Sequence, residues 1–567
     1  MVKTSKLEQL IHWTIETGIR RSLVYLITLL IFIGSVMMIP TEKVKAKMLP
    51  GKDSDTFSVY VDLPKGSSQS QTREVTTCIA TELVKEPSVT AVSTFLNEGQ
   101  PLDFAGMVKG SALKSSENKA EMMVNIKRKE ERNIMSYNLV HKIRPSIQAK
   151  CTKYDANIKF IELPAGPPVL ASIVSEIYGG NSYGSRLNFA NEIAKVLSKQ
   201  KKLVDVDVLA DKLTTKYSLE IDNNKVIESG IGLDQVKKVL YLAFEGTDMG
   251  VVNKSNVENQ LALFVRLDDS RLLENSDEKS LEKKLSQIML INQNGMTLPI
   301  SKFVAIKKVS QDPSITSKDL SNMINVVAET DMESQIYPLL DARKYMLENM
   351  KDKYEVTPTG MLNLQFKDKQ TGEIFKLNWD GELKVTIDTF IDLGGAFIGA
   401  LILIFFLMVI YYKNFALAGG IVLASFLSLI GVIFGHFVMD KFASDTFYLT
   451  ATSLIGYIGL IGINSRNSLL IIDFSRQLVE QHNIDPKRAI AVATKTRAKP
   501  ILLTVLAIVF ASSLLATDAV FGGLGVALIG GTLAAYFVSL FFVPSIITKP
   551  LEKMYKDRNI DVVREEY

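Results

Sequence analysis

A positive charge sits inside a stretch that otherwise reads as one continuous membrane-crossing helix. The run Ile463-Asn464-Ser465-Arg466-Asn467-Ser468-Leu469-Leu470-Ile471-Ile472-Asp473 belongs to an apolar pattern extending from Tyr448 to Asp473. An arginine at that depth costs roughly 2.5–3.5 kcal/mol, so an ionisable residue there points to function first. One reading makes Arg466 part of a charge or proton pathway shared with another helix. The other makes it a snorkelling side chain, because Asp473, seven positions on, marks a nearby helix end. Other reactive types are thinly spread. The four histidines, His12, His141, His436 and His482, are scattered, so no histidine metal site is expected, and His436 reads as a packed or interfacial side chain. Cys78 and Cys151 have no ligand spacing. One disulfide is open to them if their domain is exported, but two unpaired buried thiols are the expectation. The polar part of the chain shows no nucleophile–base or metal-ligand constellation, which argues against an enzyme and against a cofactor.

The elements that position Arg466 follow from the distribution of apolar residues. At 567 residues the chain exceeds a single core, and a net charge of +4 favours neither nucleic acid nor an acidic partner. Residues 1–21 carry Lys3, Lys6, Arg20 and Arg21 ahead of an apolar run over 22–40. That run is long enough to span, and Ile39-Pro40-Thr41-Glu42 is no small-residue cleavage site, so it reads as an uncleaved anchor. Five more apolar segments, near 393–412, 415–438, 448–473, 500–517 and 522–547, bring the spans to six. With 1–21 cytoplasmic, the loop 474–499 falls inside with six basic residues and the tail 548–567 inside with five, whereas the short outer loops share only Lys441. Both termini are then cytoplasmic, and residues 41–390 lie on the far side. Gly394-Gly395, Gly399, Gly419-Gly420, Gly522-Gly523, Gly525 and Gly530-Gly531 let helix backbones approach closely in lipid, as a transporter or channel needs and a plain anchor does not. The loop 477–497 alternates Leu478, Val479, Ile484 and Ile490 with Lys487, Arg488 and Lys495, which predicts an amphipathic connector lying on the surface.

Residues 41 to about 385 alternate between strand and helix. Phe57–Leu63 alternates as a strand, Val75, Ile79 and Leu83 share a helix face, and Val89–Phe95 is strand-like again. Met122–Ile126, a helix with Leu139, Ile143 and Ile147 on one face, and Ile158–Ile161 repeat the order, which suggests a ferredoxin-like α+β layer. The cluster Pro164-Ala165-Gly166-Pro167-Pro168 ends it. A third unit (Ser172–Tyr178, Leu187–Leu197, Leu203–Val208) is completed by Asn322–Ala328 and Gln335–Asn349, leaving about 222–314 as an inserted module with Gly295–Ile300 as a hairpin strand. Between Leu96 and Asn118 lies a Gly-, Ser- and Lys-rich loop carrying Phe104 and Met107. Its composition favours a disordered linker over a wall of a binding cleft.

These residues resemble a family. The runs Ala451-Thr452-Ser453-Leu454-Ile455-Gly456 and Arg466–Phe474 resemble the fourth helix of the C-terminal half of a resistance–nodulation–division (RND) efflux permease. Thr496-Arg497-Ala498-Lys499-Pro500-Ile501-Leu502-Leu503-Thr504 is similar to the next helix, Phe541-Phe542-Val543-Pro544 to the end of the last, and Gly295–Ile300 to a docking-module hairpin. The resemblance implies an α+β membrane protein with six transmembrane helices and a large periplasmic domain of ferredoxin-like β-α-β porter subdomains. Residues 50–163 would be the first subdomain, 168–221 with 315–385 the second, 222–314 the docking module and 393–547 the last five helices. It implies a trimer in a bacterial inner membrane, exchanging protons for small amphipathic substrates and handing them through a periplasmic adaptor to an outer-membrane channel. Arg466 would answer a membrane aspartate pair, with Asn467, Thr504 and Arg497 in the same relay. Phe95, Phe104 and Met107 would fall in the substrate pocket's aromatic wall and switch loop.

Two departures matter. Lysine is usual where Arg466 stands, and arginine keeps its charge at any relevant pH, so Arg466 is expected to be a fixed counter-ion rather than a proton carrier. The aspartate pair and the N-terminal half are missing from the sequence, because Asp392, Asp440, Asp445, Asp473 and Asp518 all lie at or near helix ends. Two such arginines facing each other would be unreasonable in a low dielectric, so a second polypeptide of the N-terminal type is expected to supply the acids. Thr504 either joins that network or bonds its own helix backbone. The alternatives are a SecD-like protein-export accessory, which would carry an acid where this chain has Arg466-Asn467, and a transport-inactive split remnant.

Overall fold

The structure, a computed structural model, describes residues 5–163, 166, 168–256, 260–267, 278–331, 333–443 and 446–556. The Pro-rich boundary at 164–168 therefore lies partly outside the described residues, as do Asp445 and the end of the basic tail. The chain forms two compact units, Ala210–Ile315 and the rest.

The larger unit opens with α1 (Lys6–Glu16), capped by Ser5, and α2 (Gly18–Val36), the first apolar helix. A first layer follows in the order β1 (Thr56–Asp62), α3 (Gln69–Leu83), β2 (Val89–Leu96), α4 (Phe104–Lys109), β3 (Lys119–Ile126), α5 (Ser136–Cys151) and β4 (Asn157–Ile161). Its antiparallel sheet runs β2-β3-β1-β4, the ferredoxin-like order that the alternation predicts. Val75, Ile79, Leu83, Leu139, Ile143 and Ile147 close its core against Val59, Val61, Met122 and Val124. Cys78 and Cys151 are joined by a disulfide between α3 and α5, with Cα atoms 5.7 Å apart. The expectation of two free thiols is wrong: spacing along the chain says nothing of two helix faces that pack side by side. The Leu96–Asn118 loop is also no disordered linker. It folds into α4 and a short 3-10 turn at Ser111–Leu113, held by buried polar side chains.

The second layer begins with β5 (Ile173–Gly179), α6 (Tyr183–Ser198) and β6 (Leu203–Leu209). The chain then makes the smaller unit: β7 (Thr214–Ile221), α7 (Asn223–Glu228), α8 (Leu233–Phe244), β8 (Thr247–Val252), β9 (Leu261–Val265), α9 (Glu278–Gln287), β10 (Met289–Ile291), β11 (Thr297–Pro299) and β12 (Val304–Gln311). β7 pairs along its length with β12, so it belongs to this unit and not to the segment before it. β10 and β11 form a hairpin whose turn is pinned by Asn292 Oδ1, which accepts from the amides of Asn294 and Met296 at 3.0 and 2.9 Å, with Gly295 at φ +77°. Back in the larger unit, β13 (Thr316–Lys318), β14 (Ser321–Thr330), α10 (Ile336–Asn349), β15 (Tyr354–Thr359), β16 (Asn363–Asp368) and β17 (Ile374–Asp380) complete a sheet ordered β13-β14-β5-β17-β16-β15, with β6 also on β14. The last three strands are not among the sequence expectations, although Leu364 and Phe366 of β16 and Phe375, Leu377 and Trp379 of β17 alternate as buried residues.

The remaining helices are α11 (Glu382–Tyr412), α12 (Phe415–Leu427), α13 (Leu429–Phe442), α14 (Ala451–His482), α15 (Pro486–Leu515), α16 (Gly522–Phe537) and α17 (Val543–Met554), with a π turn at Val538–Phe542. Among the described residues, six helical stretches, with α12–α13 and α16–α17 each counting as one, are long and apolar enough to cross a membrane. The predicted surface connector at 477–497 does not form. Residues up to His482 continue α14, Asn483 ends it at φ +51°, and Asp485 caps α15, which starts at Pro486 and runs on through Pro500. An asparagine C-cap followed by Asp-Pro is a stop-and-start signal that outweighs the amphipathic pattern.

Glycine sets how close α13 and α16 come. A Cβ on Gly431 would lie 2.1 Å from the carbonyl oxygen of Gly530 and 2.5 Å from the Ala534 methyl. Gly431→Ala is therefore expected to wedge the helices apart and lower stability by about 1–3 kcal/mol, the scale of overpacking. Thermal unfolding in detergent checks it against Gly394→Ala, where nothing lies within 4 Å of the added atom.

Candidate functional site

Arg466 is exposed on α14, and among the described residues it makes no hydrogen bond or ion pair. Ile455, Gly459, Gly462, Arg466 and Leu470 are all exposed and recur at helical spacing, so they form one open stripe. Nothing lies within 4 Å of a Cβ placed on Gly459 or Gly462, which leaves room for a close-approaching helix. Asp473 falls on the same face two turns further on, where its Oδ1 accepts from the Tyr412 hydroxyl at 2.8 Å. It is too far along the helix, at about 1.5 Å per residue, to neutralise Arg466.

The inner face of the same helix is polar. Asn464 donates to the Ala424 carbonyl at 2.6 Å, Ser465 bonds Ser425 at 3.1 Å, and Asn464 Oδ1 accepts from Ser539 at 3.5 Å, where the π turn widens the last helix. Asn467 Nδ2 and Ser468 Oγ are buried without a hydrogen-bond partner, and so is Arg497 Nε. Arg497 instead stacks its guanidinium 4.9 Å from the Phe474 ring centre. Buried donors are almost always satisfied, so the orphans Asn467 and Ser468, which follow Arg466 directly, mark polar groups that are incomplete within these residues. Thr504 bonds backward to the Pro500 carbonyl at 3.1 Å, and no hydrogen bond among the described residues joins it to Arg466. His436 is buried with Nδ1 2.8 Å from the Val432 carbonyl and Nε2 2.8 Å from Ser453 Oγ. A neutral imidazole satisfies both contacts, donating from Nδ1 and accepting at Nε2.

A second feature was missed in the sequence. A cavity of about 140 Å³ lies between the two layers, lined among others by Lys47, Lys109, Arg144, Glu162 and Glu329. Lys109 crosses it to bond the Leu170 carbonyl at 2.7 Å and Glu329 at 2.8 Å. Burial opposes ionisation of Glu329, yet Lys109 and Ser172 hold its carboxyl below the usual range. Burial pushes Glu162 up to about 7, against the opposing pull of Arg144 and Lys47. The folded protein thus binds a proton at Glu162 that the unfolded chain has released, so this group's contribution to stability falls as pH rises from about 4.5 to about 7. Glu162→Gln is expected to flatten the pH dependence of stability across that window, as read from denaturation midpoints at pH 5 and 7.5. Phe104 and Met107 are exposed on α4, and the cavity is lined by their neighbours Ala105 and Lys109 instead. Phe95 lies on β2 directly opposite Glu121 of β3. Glu162 and Glu329 sit at or near strand ends and Lys47 in a linker, while Lys109 ends α4 and Arg144 lies within α5, and no periodicity announces that they meet.

Comparison with known proteins agrees with this architecture. A profile of the AcrB/AcrD/AcrF family matches residues 3–548. The chain is 20% identical over 543 residues to the multidrug export protein AcrF of Escherichia coli K12, covering 92% of this chain and 46% of that protein. It is 20% identical over 564 residues to the solvent-resistant pump membrane transporter SrpB of Pseudomonas putida, covering 95% and 48%. A crystal structure of a heavy metal efflux pump shares the fold, with a TM-score of 0.71 and 16% identity over 96% of this chain and 51% of that one. The chain thus spans about half the length of the relatives it matches. Six apolar helical stretches among the described residues, two α+β layers and a family match over residues 3–548 make this chain a member of the AcrB/AcrD/AcrF family of RND efflux permeases.

Proposed function

We propose that these residues act as the C-terminal-type half of a proton-driven efflux permease that exports small amphipathic compounds. The observation that carries this is the unpaired Arg466 on a glycine-lined open stripe of α14. A permanent cation in that position needs carboxylates supplied from outside these residues, by an N-terminal-type half carrying the Asp pair. When those acids are ionised they pair with Arg466; when they take up protons they release it. Asn467, Arg497 and Thr504 are the polar groups through which the change spreads. The inter-layer cavity serves as the solute site, residues 50–163 and 168–209 with 316–385 as porter subdomains on the periplasmic side, and the smaller unit 210–315 as the module facing an adaptor and outer-membrane channel in a trimeric assembly. Arginine and asparagine at positions 466 and 467, where a protein-export accessory would carry an acid, disfavour that alternative.

The test is co-expression with an N-terminal-type half in an efflux-deficient host. Joint purification of both halves, and dye efflux only when both are present, support the proposal. Efflux by this chain alone, or no association between the halves, refutes it.

A further inference from the structure

The seam between the two α+β layers is built from charge, with donors on the first layer and carboxyls on the second. The face of α5 turned to the second layer carries His141, Arg144 and Gln148 at i, i+3 and i+7. His141 Nδ1 lies 2.8 Å from Asp331, Arg144 Nη1 donates to the same carboxylate at 3.3 Å, and Gln148 donates to Asp205 at 3.0 Å. Asp205 also accepts from the Phe160 amide at 3.0 Å. It crosses the seam from an irregular point in its strand: the pairing of β6 with β14 shifts register there, and Asp205 takes φ +52°. Nearby, Lys159 joins Asp62 of its own layer to Asp207 of the other at 2.8 and 2.7 Å.

Arg144 stands at the centre of this seam and lines the inter-layer cavity. It is 5% exposed, and its Nε has no hydrogen-bond partner, with Asp205 3.7 Å away. Four fixed cations gather here: Arg144, Lys109 of α4, and Lys47 and Lys52 ahead of β1. They face five carboxyls: Glu162 just after β4, Asp205, Glu329 and Asp331 around the end of β14, and Glu382 at the start of α11. Asp205 and Asp331 are bonded as above, and Glu329 is held by Lys109 and Ser172. The Glu162 and Glu382 carboxyls accept no hydrogen bond among the described residues, so only nearby charge offsets the cost of ionising them away from water. Charge balance then leaves one proton to be kept.

Burial raises the Glu162 carboxyl to about 7 and raises Asp205 as well. Parting the layers hydrates Glu162 and returns it to its ordinary range, so the closed seam holds a proton that the open one has lost. Closure is favoured in acid and fades as pH rises from about 4.5 to about 7. Asp62 and Glu329 do not cancel this. Burial opposes their ionisation, but Lys159 and Lys109 hold both below the usual range, and they stay charged throughout the window.

We propose that the inter-layer cavity holds a proton of its own, carried on Glu162 beside Arg144, and that this proton sets whether the two layers stand closed or apart. It is a proton site in the α+β layers, separate from Arg466 on the helix bundle. Its use in transport rests on the efflux reading above; the proton-linked seam does not.

Nitroxides at Thr81→Cys on α3 and Lys195→Cys on α6, in the full chain in detergent, read the layer separation by double electron–electron resonance. Cys78 and Cys151 are bonded to each other and take no label. Between about pH 5 and about pH 8 a longer-distance population is expected to grow from minority to majority, with a midpoint near 7. Glu162→Gln, which cannot ionise, is expected to keep the short distance at every pH. Arg144→Gln removes the cation that favours ionised Glu162 and is expected to move the midpoint up by about one pH unit, a shift that a merely structural role would not produce. His141→Gln is expected to leave the midpoint in place, which separates Glu162 from the exposed imidazole at the rim. A native distance distribution that ignores pH, or a Glu162→Gln chain that responds as the native one does, overturns the proposal. A native response in a chain that, joined by its N-terminal-type half, moves no dye refutes the efflux reading and leaves the proton site standing.

Discussion

Arg466→Gln, in cells holding both halves of the assembly, is expected to reduce proton-driven efflux by at least about a hundredfold, while Arg466→Lys retains most of it. Removing one partner of a desolvated pair leaves the other charge unanswered at a cost of about 3–5 kcal/mol, and that is enough for the loss. Glutamine is similar in length and polarity, so a failure of transport would not reflect lost packing on an already exposed stripe. Lysine restores the cation. Its pKa shifts on burial where that of arginine does not, so the lysine variant should also show a steeper pH dependence of efflux. The measurement is the initial rate of dye efflux under an imposed proton gradient, with dye binding to the purified assembly as the control. Binding should be unchanged in both variants, because Arg466 lies on the helix bundle and the cavity lies between the two layers. Efflux by the glutamine variant at the native rate would remove Arg466 from the coupling pathway.

The place of Arg466 within an apolar helix is legible in the sequence, and the reason is physical. A membrane helix writes its position in twenty apolar residues, so a charge within it stands out whatever the tertiary packing. The first layer was readable for a similar reason: Phe57–Leu63 and Val75, Ile79, Leu83 show clean periods of 2 and 3.6. What escaped depends on contacts distant in sequence. Glu121, buried against Gln100, Ser111 and Lys114, looks in sequence like a polar residue at the start of a strand. Lys109 and Glu329 are 220 positions apart and meet only because two layers face each other. The helix junction at Asn483-Ile484-Asp485-Pro486 departs from the amphipathic pattern for a different reason: capping residues, not hydrophobic periodicity, decide where one helix stops and the next begins.

Losing the Cys78–Cys151 bond is expected to destabilise the first layer by roughly 4 kcal/mol, from the chain entropy released by a loop with a sequence separation of 73. The bond joins α3 to α5, two helices on the same side of the sheet, and Cys151 is fully buried in the core with Ile79 and Ile147 nearby in the cluster. Cys78→Ser with Cys151→Ala breaks it with little change in volume and leaves no reactive thiol. Chemical denaturation followed by tryptophan-independent probes, such as far-UV dichroism of the full chain in detergent, should show the first layer unfolding earlier, and reductant should have the same effect on the native chain but none on the variant. The bond also reports on which side of the membrane this layer resides. Disulfides persist in the periplasm and are rare in a reducing cytosol. In a host lacking periplasmic thiol oxidation, the native chain should accumulate to a lower level and run as the free-thiol form on non-reducing gels, whereas the double variant should be indifferent to the host. Equal accumulation and full oxidation in both hosts would argue that the layer does not depend on that compartment, and with it the placement of residues 50–163 outside the cytoplasm would fall.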